Sequence, residues 1–331
     1  QPAWAVAVGR DRFGLWADLR VGGVVQRMRW IPPGRFMMGS PPSEQGRYEN
    51  EGPQHEVILT RGFWMGETPV TQALWQALAG KNPSRFRSPN RPVERVSWVE
   101  CDSVIGEVLN SRYGPDEDGV FRLPTEAEWE YACRAGTQTA SYAGEIKIFN
   151  EGNAPVLDEI AWYDRNSGVN FDLENGETSG KFLRTGTRGV KQKLPNAWGL
   201  YDMLGNVLEW CQDGRRSYSS AQQQDPWGPA AGDDLRVYRG GSWSRVARDV
   251  RAAYRFANQR DVRTSNLGLR LVRGLVPPVE PHKPWAVAKG QDRFGLWADL
   301  RVEGVVQRMR WIPAGRFVMG SPPGEQGRWD D

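Results

Sequence analysis

"RLPTEAEWEYACRAG", residues 122–136, carries a helix marked at both ends. Thr125 followed three positions later by Glu128 is a capping box, in which the hydroxyl accepts from an early amide and the carboxylate reaches back to the cap. Gly136 supplies a left-handed stop. Two other stretches read the same way. "SWVECDSVIGEVL" pairs Ser97 with Glu100, and "TQALWQALAG" starts at a threonine cap and ends at Gly80. Around them, "GVVQRMRWIP", "GRFMMGS", "HEVILT" and "GFWMGET" have strand-like content. From 137 to about 235 the chain is rich in Gly, Asn, Asp and Trp and shows little periodicity. The spacing predicts loop, packed by its own aromatics, and 16 tryptophans are available for that.

Composition bounds the rest. The 331 residues suffice for one large domain or two ordinary ones, and 39% hydrophobic against 25% charged is the balance of a soluble globular protein. No apolar run approaches the ~20 residues of a membrane helix. No secretory signal opens the chain, which favours the cytoplasm, with surface display open if a leader has been trimmed ahead of Gln1. The net charge is +3, and 36 of the 43 basic residues are Arg, a composition suited to dense ion-pair networks. Acids nearly balance bases and no basic block stands alone, so a nucleic-acid partner is disfavoured. Cys101, Cys133 and Cys211 have neither paired spacing nor a CxxC motif, and indicate no disulfide framework or zinc cluster. Of the two histidines, His282 adds no motif, and His55 in "GPQHEVILT" reads as a buried structural imidazole.

An internal repeat organises the chain. Residues 4–47 recur at 285–328 with 38 of 44 positions identical. The Pro-rich "GLVPPVEPHK" lies between the copies and reads as a linker. The expected division is a domain at 1–273, a linker at 274–283 and a partial second copy at 284–331, as in a tandem array cut short. The strand "GVVQRMRWIPPGRFMMG" is expected to pair with the terminal strand near Leu267–Val272. Its copy should then form strands over 305–320 against a sheet edge, with a swapped homodimer as one outcome.

The blocks "RLPTEAEWEYACRAG", "PNAWGLYDMLGNVLEW", "RVYRGGSW" and "NLGLRLVRG", with "WIPPGRFMMGS" and "NPSRF", make the chain resemble the formylglycine-generating-enzyme family from about residue 24 to 274. The resemblance implies an α+β, C-type-lectin-like fold with a small antiparallel sheet, two or three helices and long loops. Active members bind copper through two cysteines after the GGS motif. Here Arg245 and Val250 occupy those positions, and neither can act as a soft-metal ligand. Related iron-dependent sulfoxide synthases use histidines of a separate helical domain, for which this chain offers only His55 and His282. No catalytic cofactor is therefore expected. The resemblance also implies a structural calcium held by Asp202 and Glu209 with the carbonyls of Gly205 and Val207, a hard-oxygen set suited to that ion.

Residues 239–271, "RGGSWSRVARDVRAAYRFANQRDVRTSNLGLRL", alternate framework with adornment. Glycines, apolar residues and Asn266 are what the fold would need. Between them fall Trp243, Ser244, Arg245, Val246, Asp249, Tyr254, Phe256, Ala257, Gln259, Arg260, Asp261, Val262, Thr264 and Ser265. Their mix of aromatic, polar and charged groups resembles a paratope. It also resembles the variable proteins of diversity-generating retroelements, in which this part of a lectin-like domain is diversified on a constant scaffold. That resemblance implies a non-catalytic protein that binds an unknown protein or other macromolecule. A non-catalytic sensor or adaptor domain, and a divergent metal-dependent oxidoreductase, stay open as alternatives.

Overall fold

The computed structural model describes residues 2–116, 118–149, 152–168, 177–179, 182–228, 234–275, 286–292, 295–302 and 305–310. It divides into two units, Gln1–Pro277 and Pro278–Asp331.

The first unit opens with a meander of β1 (Ala5–Asp11), β2 (Gly14–Val21) and β3 (Val24–Ile31), followed by β4 (Gly34–Met38), β5 (His55–Leu59) and β6 (Phe63–Gly66). After the first helices come β7 (Val120–Arg122), the short pair β8 (Glu177–Ser179) and β9 (Phe182–Thr185), β10 (Leu208–Gly214), β11 (Gln223–Gln224), β12 (Leu235–Arg239), β13 (Arg255–Gln259), β14 (Leu267–Gly268) and β15 (Val272–Gly274). Six strands form one sheet in the order β1-β2-β3-β6-β15-β7, and four form another in the order β13-β12-β10-β14. β4 and β5 pair in a third sheet with β11.

The pairing expected between the first strand and the terminal strand is corrected. β6 lies between β3 and β15, matching Trp30 with Trp64 on one side and Val272 with Met65 on the other. All four β6 residues are buried, which suits a strand flanked on both sides. The terminal segment itself divides, Leu267–Gly268 running parallel to β10 while Val272–Gly274 joins the six-stranded sheet.

The helix signals resolve into real caps. Thr71 Oγ1 accepts from the Leu74 amide, and both capping boxes, Ser97 with Glu100 and Thr125 with Glu128, are closed. The helix Glu126–Arg134 turns left-handed one residue early, at Ala135 (φ 46), before Gly136 (φ 94). Trp98–Val104 continues as π-helical turns over Ile105–Asn110. Among the described residues, no helix is long and apolar enough to cross a membrane.

Two large apolar clusters and a small one of Phe86 and Trp243 form the core. One joins the helix Glu126–Arg134 to β4, β5 and the loop residues Leu157, Ile160, Tyr163, Leu200, Met203 and Leu204. The other sets the meander against Leu74, Trp75, Trp98, Leu109 and Trp210. His55 is buried, with Nδ1 3.0 Å from the Pro53 carbonyl and the ring 4.8 Å from that of Tyr218.

In the second unit, β16 (Ala286–Asp292), β17 (Gly295–Val302) and β18 (Val305–Arg310) repeat the meander with the same registers. Ala5 faces Leu19 as Ala286 faces Leu300, and both pairs carry a bulge two residues on. Of the expected 305–320 strands, 305–310 pairs with β17 inside this unit, and 311–320 lies outside the described residues. Because the six-stranded sheet is complete within the first unit, a chain ended after Pro277 should fold. Its melting temperature is expected within about 2 °C of the full chain by calorimetry, a difference below about 1 kcal/mol at this size. A truncated chain without a cooperative transition would refute this.

Candidate functional site

The stretch 239–271 is built from the inside outward. Of its eight arginines, those at 239, 251, 255 and 270 are each at most 4% exposed. The helix Glu126–Arg134 presents Glu126 and Glu130 one turn apart, on one face. Glu130 pairs with Arg134 at 2.8 Å and with Arg239; Arg239 reaches Glu126 at 3.6 Å, and Arg255 grips both Glu126 oxygens at 2.6 and 2.8 Å. Arg239 also donates to the carbonyls of Ala253 and Tyr254, so the returning chain is tied to the ladder. Arg251 is held between Glu44 and Glu51. Burial opposes the charge on Glu126, yet Arg255 and Arg239 outweigh it and hold its carboxyl at about 2.

The GGS turn needs its glycines. Gly240 and Gly241 have φ of 98 and 70, and a Cβ on Gly241 would sit 2.7 Å from the Asp249 carbonyl.

On this frame the expected binding residues separate. Val246, Phe256, Gln259, Arg260, Asp261 and Thr264 are exposed, while Ser244, Arg245, Ala257, Val262 and Ser265 are half-buried. Trp243, Asp249 and Tyr254 are corrections, because all three are buried. Trp243 packs edge-on against Phe86 at 5.2 Å and donates Nε1 to the Ser265 carbonyl at 3.0 Å. Tyr254 lies 5.9 Å from the Tyr48 ring, and burial pushes its phenol up, so it stays neutral. Asp249 accepts from the Tyr48 hydroxyl at 2.8 Å and faces Arg245 at 3.7 Å. Large rings gain more from burial than from a place at the rim, which is why these positions serve the scaffold.

The exposed and half-buried positions gather into two groups. Thr264 and Ser244 are linked through Asn266, which accepts from Thr264 at 2.8 Å and donates to Ser244 at 3.0 Å, with Ser265 beside them in the chain. Phe256 to Asp261 follow β13 into its turn, with Arg260 3.4 Å from Asp234. Tyr48, Asn50, Arg215 and Tyr238 also border this region and were not legible as site residues. Tyr48, Asn50 and Arg215 lie on distant segments that only tertiary packing brings near, Asn50 donating to the Arg255 carbonyl; Tyr238, adjoining the stretch in sequence, lies opposite Phe256 across the ladder.

The two carboxylates of the expected metal set are engaged within the protein. Both Glu209 oxygens accept from Arg270, at 2.8 to 3.1 Å, and Oε2 also accepts from Trp129 Nε1 at 2.7 Å. Asp202 accepts from the Lys191 amide at 2.9 Å and from Asn206 at 3.2 Å. Gly205 donates to the Gly240 carbonyl, and Val207 is core. At Glu209 a guanidinium already takes the counter-charge role that calcium would have. Val250 is fully buried, and Arg245 is committed to Asp249. The three cysteines are buried apart in the core, and burial pushes the Cys133 thiol up to about 12, well away from thiolate chemistry. Among the described residues, no three His, Cys, Asp or Glu side chains converge as metal ligands.

The chain is similar to known proteins. Residues 20–275 match the sulfatase-modifying factor enzyme 1-like domain. The chaperone protein LppX of Paenibacillus barcinonensis is 30% identical over 65% of this chain and 81% of its own. The formylglycine-generating enzyme of Mus musculus is 31% identical over 68% of this chain, which spans about half (55%) of that enzyme's length. Treponema denticola variable protein 1 is 31% identical and superposes with a TM-score of 0.61, covering 78% of this chain and 98% of that one. The domain thus serves proteins named as enzymes and one named as a variable protein. With its α+β, C-type-lectin-like fold, the chain belongs to the sulfatase-modifying factor (formylglycine-generating-enzyme) family.

Proposed function

We propose that this protein is a non-catalytic ligand-binding protein of the variable-protein type, using the face formed by residues 244–265 to recognise another protein or macromolecule. One observation carries the reading: within 239–271 the arginine framework is buried and ion-paired, while Val246, Phe256, Gln259, Arg260, Asp261 and Thr264 project outward between its anchors. Exposed side chains can change without unfolding the domain, which a diversified surface requires. Phe256, 52% exposed, supplies the aromatic area typical of binding anchors, and the neighbouring amide, hydroxyl and charged groups supply adaptable hydrogen bonds. Arg245 and buried Val250 at the copper positions argue against oxygenase chemistry.

The test pairs stability with binding. Phe256→Ala, Gln259→Ala and Thr264→Ala should each shift unfolding by no more than about 0.5 kcal/mol. Combined, they should abolish binding to a domain selected from a displayed library of bacterial surface proteins. Retained affinity in the triple variant, or turnover of a cysteine-containing sulfatase peptide with copper and oxygen, would overturn the reading.

A further inference from the structure

Among the described residues, β13 is the last strand of its sheet, with no partner strand on one side. Arg260, which lies opposite Asp234 in the register that sets Gln259 against Leu235, donates its amide to the Asp234 carbonyl at 3.1 Å. In an antiparallel ladder, bonded pairs alternate with unbonded ones. Phe256 and Asn258 therefore direct their backbone groups to β12, and Arg255, Ala257 and Gln259 direct theirs to the open edge. Two of these three are already engaged. The Arg255 carbonyl accepts from Asn50 Nδ2 at 3.2 Å; the Gln259 amide donates to Asn258 Oδ1 at 2.9 Å, and its carbonyl accepts from the Val262 amide at 3.1 Å. Ala257 is left with an N–H and a C=O side by side on the edge.

Beside it lies a cleft of 210 Å³ lined by Asn50, Arg215, Val237, Arg255, Phe256 and Ala257. Asn50 Oδ1 is buried there with no hydrogen-bond partner among the described residues, a costly condition unless a ligand supplies the donor. Arg215 is exposed and has no ion-pair partner among the described residues. The cleft thus offers an orphan acceptor, a free main-chain donor and acceptor pair, a free cation and an aromatic wall.

We propose that β13 receives an extended, acidic peptide segment of a partner protein as an added strand. Ala257 pairs with the peptide main chain, Asn50 Oδ1 accepts a further peptide N–H, and Arg215 binds an Asp or Glu side chain while the neighbouring residue packs on Phe256. Strand addition takes its affinity from main-chain bonds and its selectivity from alternate side chains. The inference rests on the binding-face reading above, and names the ligand class for one end of that face.

The experiment selects from a random decapeptide library displayed on phage against the full protein, then scans the best peptide by single N-methylation. Enrichment of Asp or Glu at one position is expected, with N-methylation weakening binding at alternate positions only. Arg215→Glu should weaken the selected peptide roughly tenfold to a hundredfold, as loss of a charge-assisted bond implies, and should turn the selection toward Lys or Arg. Ala257→Pro removes only the outward amide, which an edge strand tolerates, and should weaken binding about tenfold. Should that variant fail to fold, the exposed Arg215→Glu and the N-methyl scan decide alone. Absence of acidic enrichment, or N-methyl effects without period two, would overturn strand addition. Peptides that ignore Arg215→Glu and Ala257→Pro but are lost with the Phe256, Gln259 and Thr264 alanine changes would overturn it too, while leaving the binding-face reading intact.

Discussion

Replacing Arg239 with methionine lowers the unfolding free energy by about 3–5 kcal/mol, the scale of removing one partner from a buried ion pair. The guanidinium is fully buried and touches Glu130, Glu126 and the carbonyls of Ala252, Ala253 and Tyr254. Methionine fills the volume but supplies no charge or donor. Two carboxylates then share one fewer cation, and three carbonyls lose bonds in a dry interior. The same ladder sets the acid response. Glu126 ionises at about 2 in the folded protein against an ordinary 4.5. A depressed carboxyl pKa contributes stability that is present above 4.5 and drains away as pH falls toward 2. Urea midpoints for the parent protein should therefore drop through that window, and Arg239→Met should flatten the drop. A stability change under 1 kcal/mol at pH 7, or an unaltered acid limb, would show that the ladder is not what ties the 239–255 segment down.

Glu209→Ala costs a similar amount, about 3–5 kcal/mol, because Arg270 is fully buried and loses the acceptor it grips at both oxygens. Trp129 loses the partner of its indole N–H as well. Calorimetry with and without chelator separates this from a metal role. Chelator should leave the parent melting temperature unchanged. A bound ion at a hundred times its dissociation constant would instead contribute about 2.7 kcal/mol, visible as a clear calcium-dependent shift. Such a shift, abolished by Glu209→Ala, would contradict the Arg270 assignment.

Local signals were legible wherever the physics is local. A hydroxyl, a carboxylate three residues on and an apolar run define a helix start without reference to the rest of the molecule, and Ser97–Glu100 and Thr125–Glu128 both close as capping boxes. His55 was readable as buried because it opens an apolar strand. Strand neighbours were less legible. Nothing in "GFWMGET" states that β6 inserts between β3 and β15, since pairing is settled by which apolar faces meet.

The site divides along the same line. The sequence by itself determined the family blocks, the arginine-rich character of 239–271 and the repeat of residues 4–47. Only the tertiary structure decided that Trp243, Asp249 and Tyr254 point inward while Phe256 and Gln259 point outward. It alone turned Glu209 from a candidate calcium ligand into the counter-ion of Arg270, 61 residues away. The physical reason is that a carboxylate's role depends on which charge reaches it first in a low-dielectric interior, and that partner is chosen by the packing of distant segments.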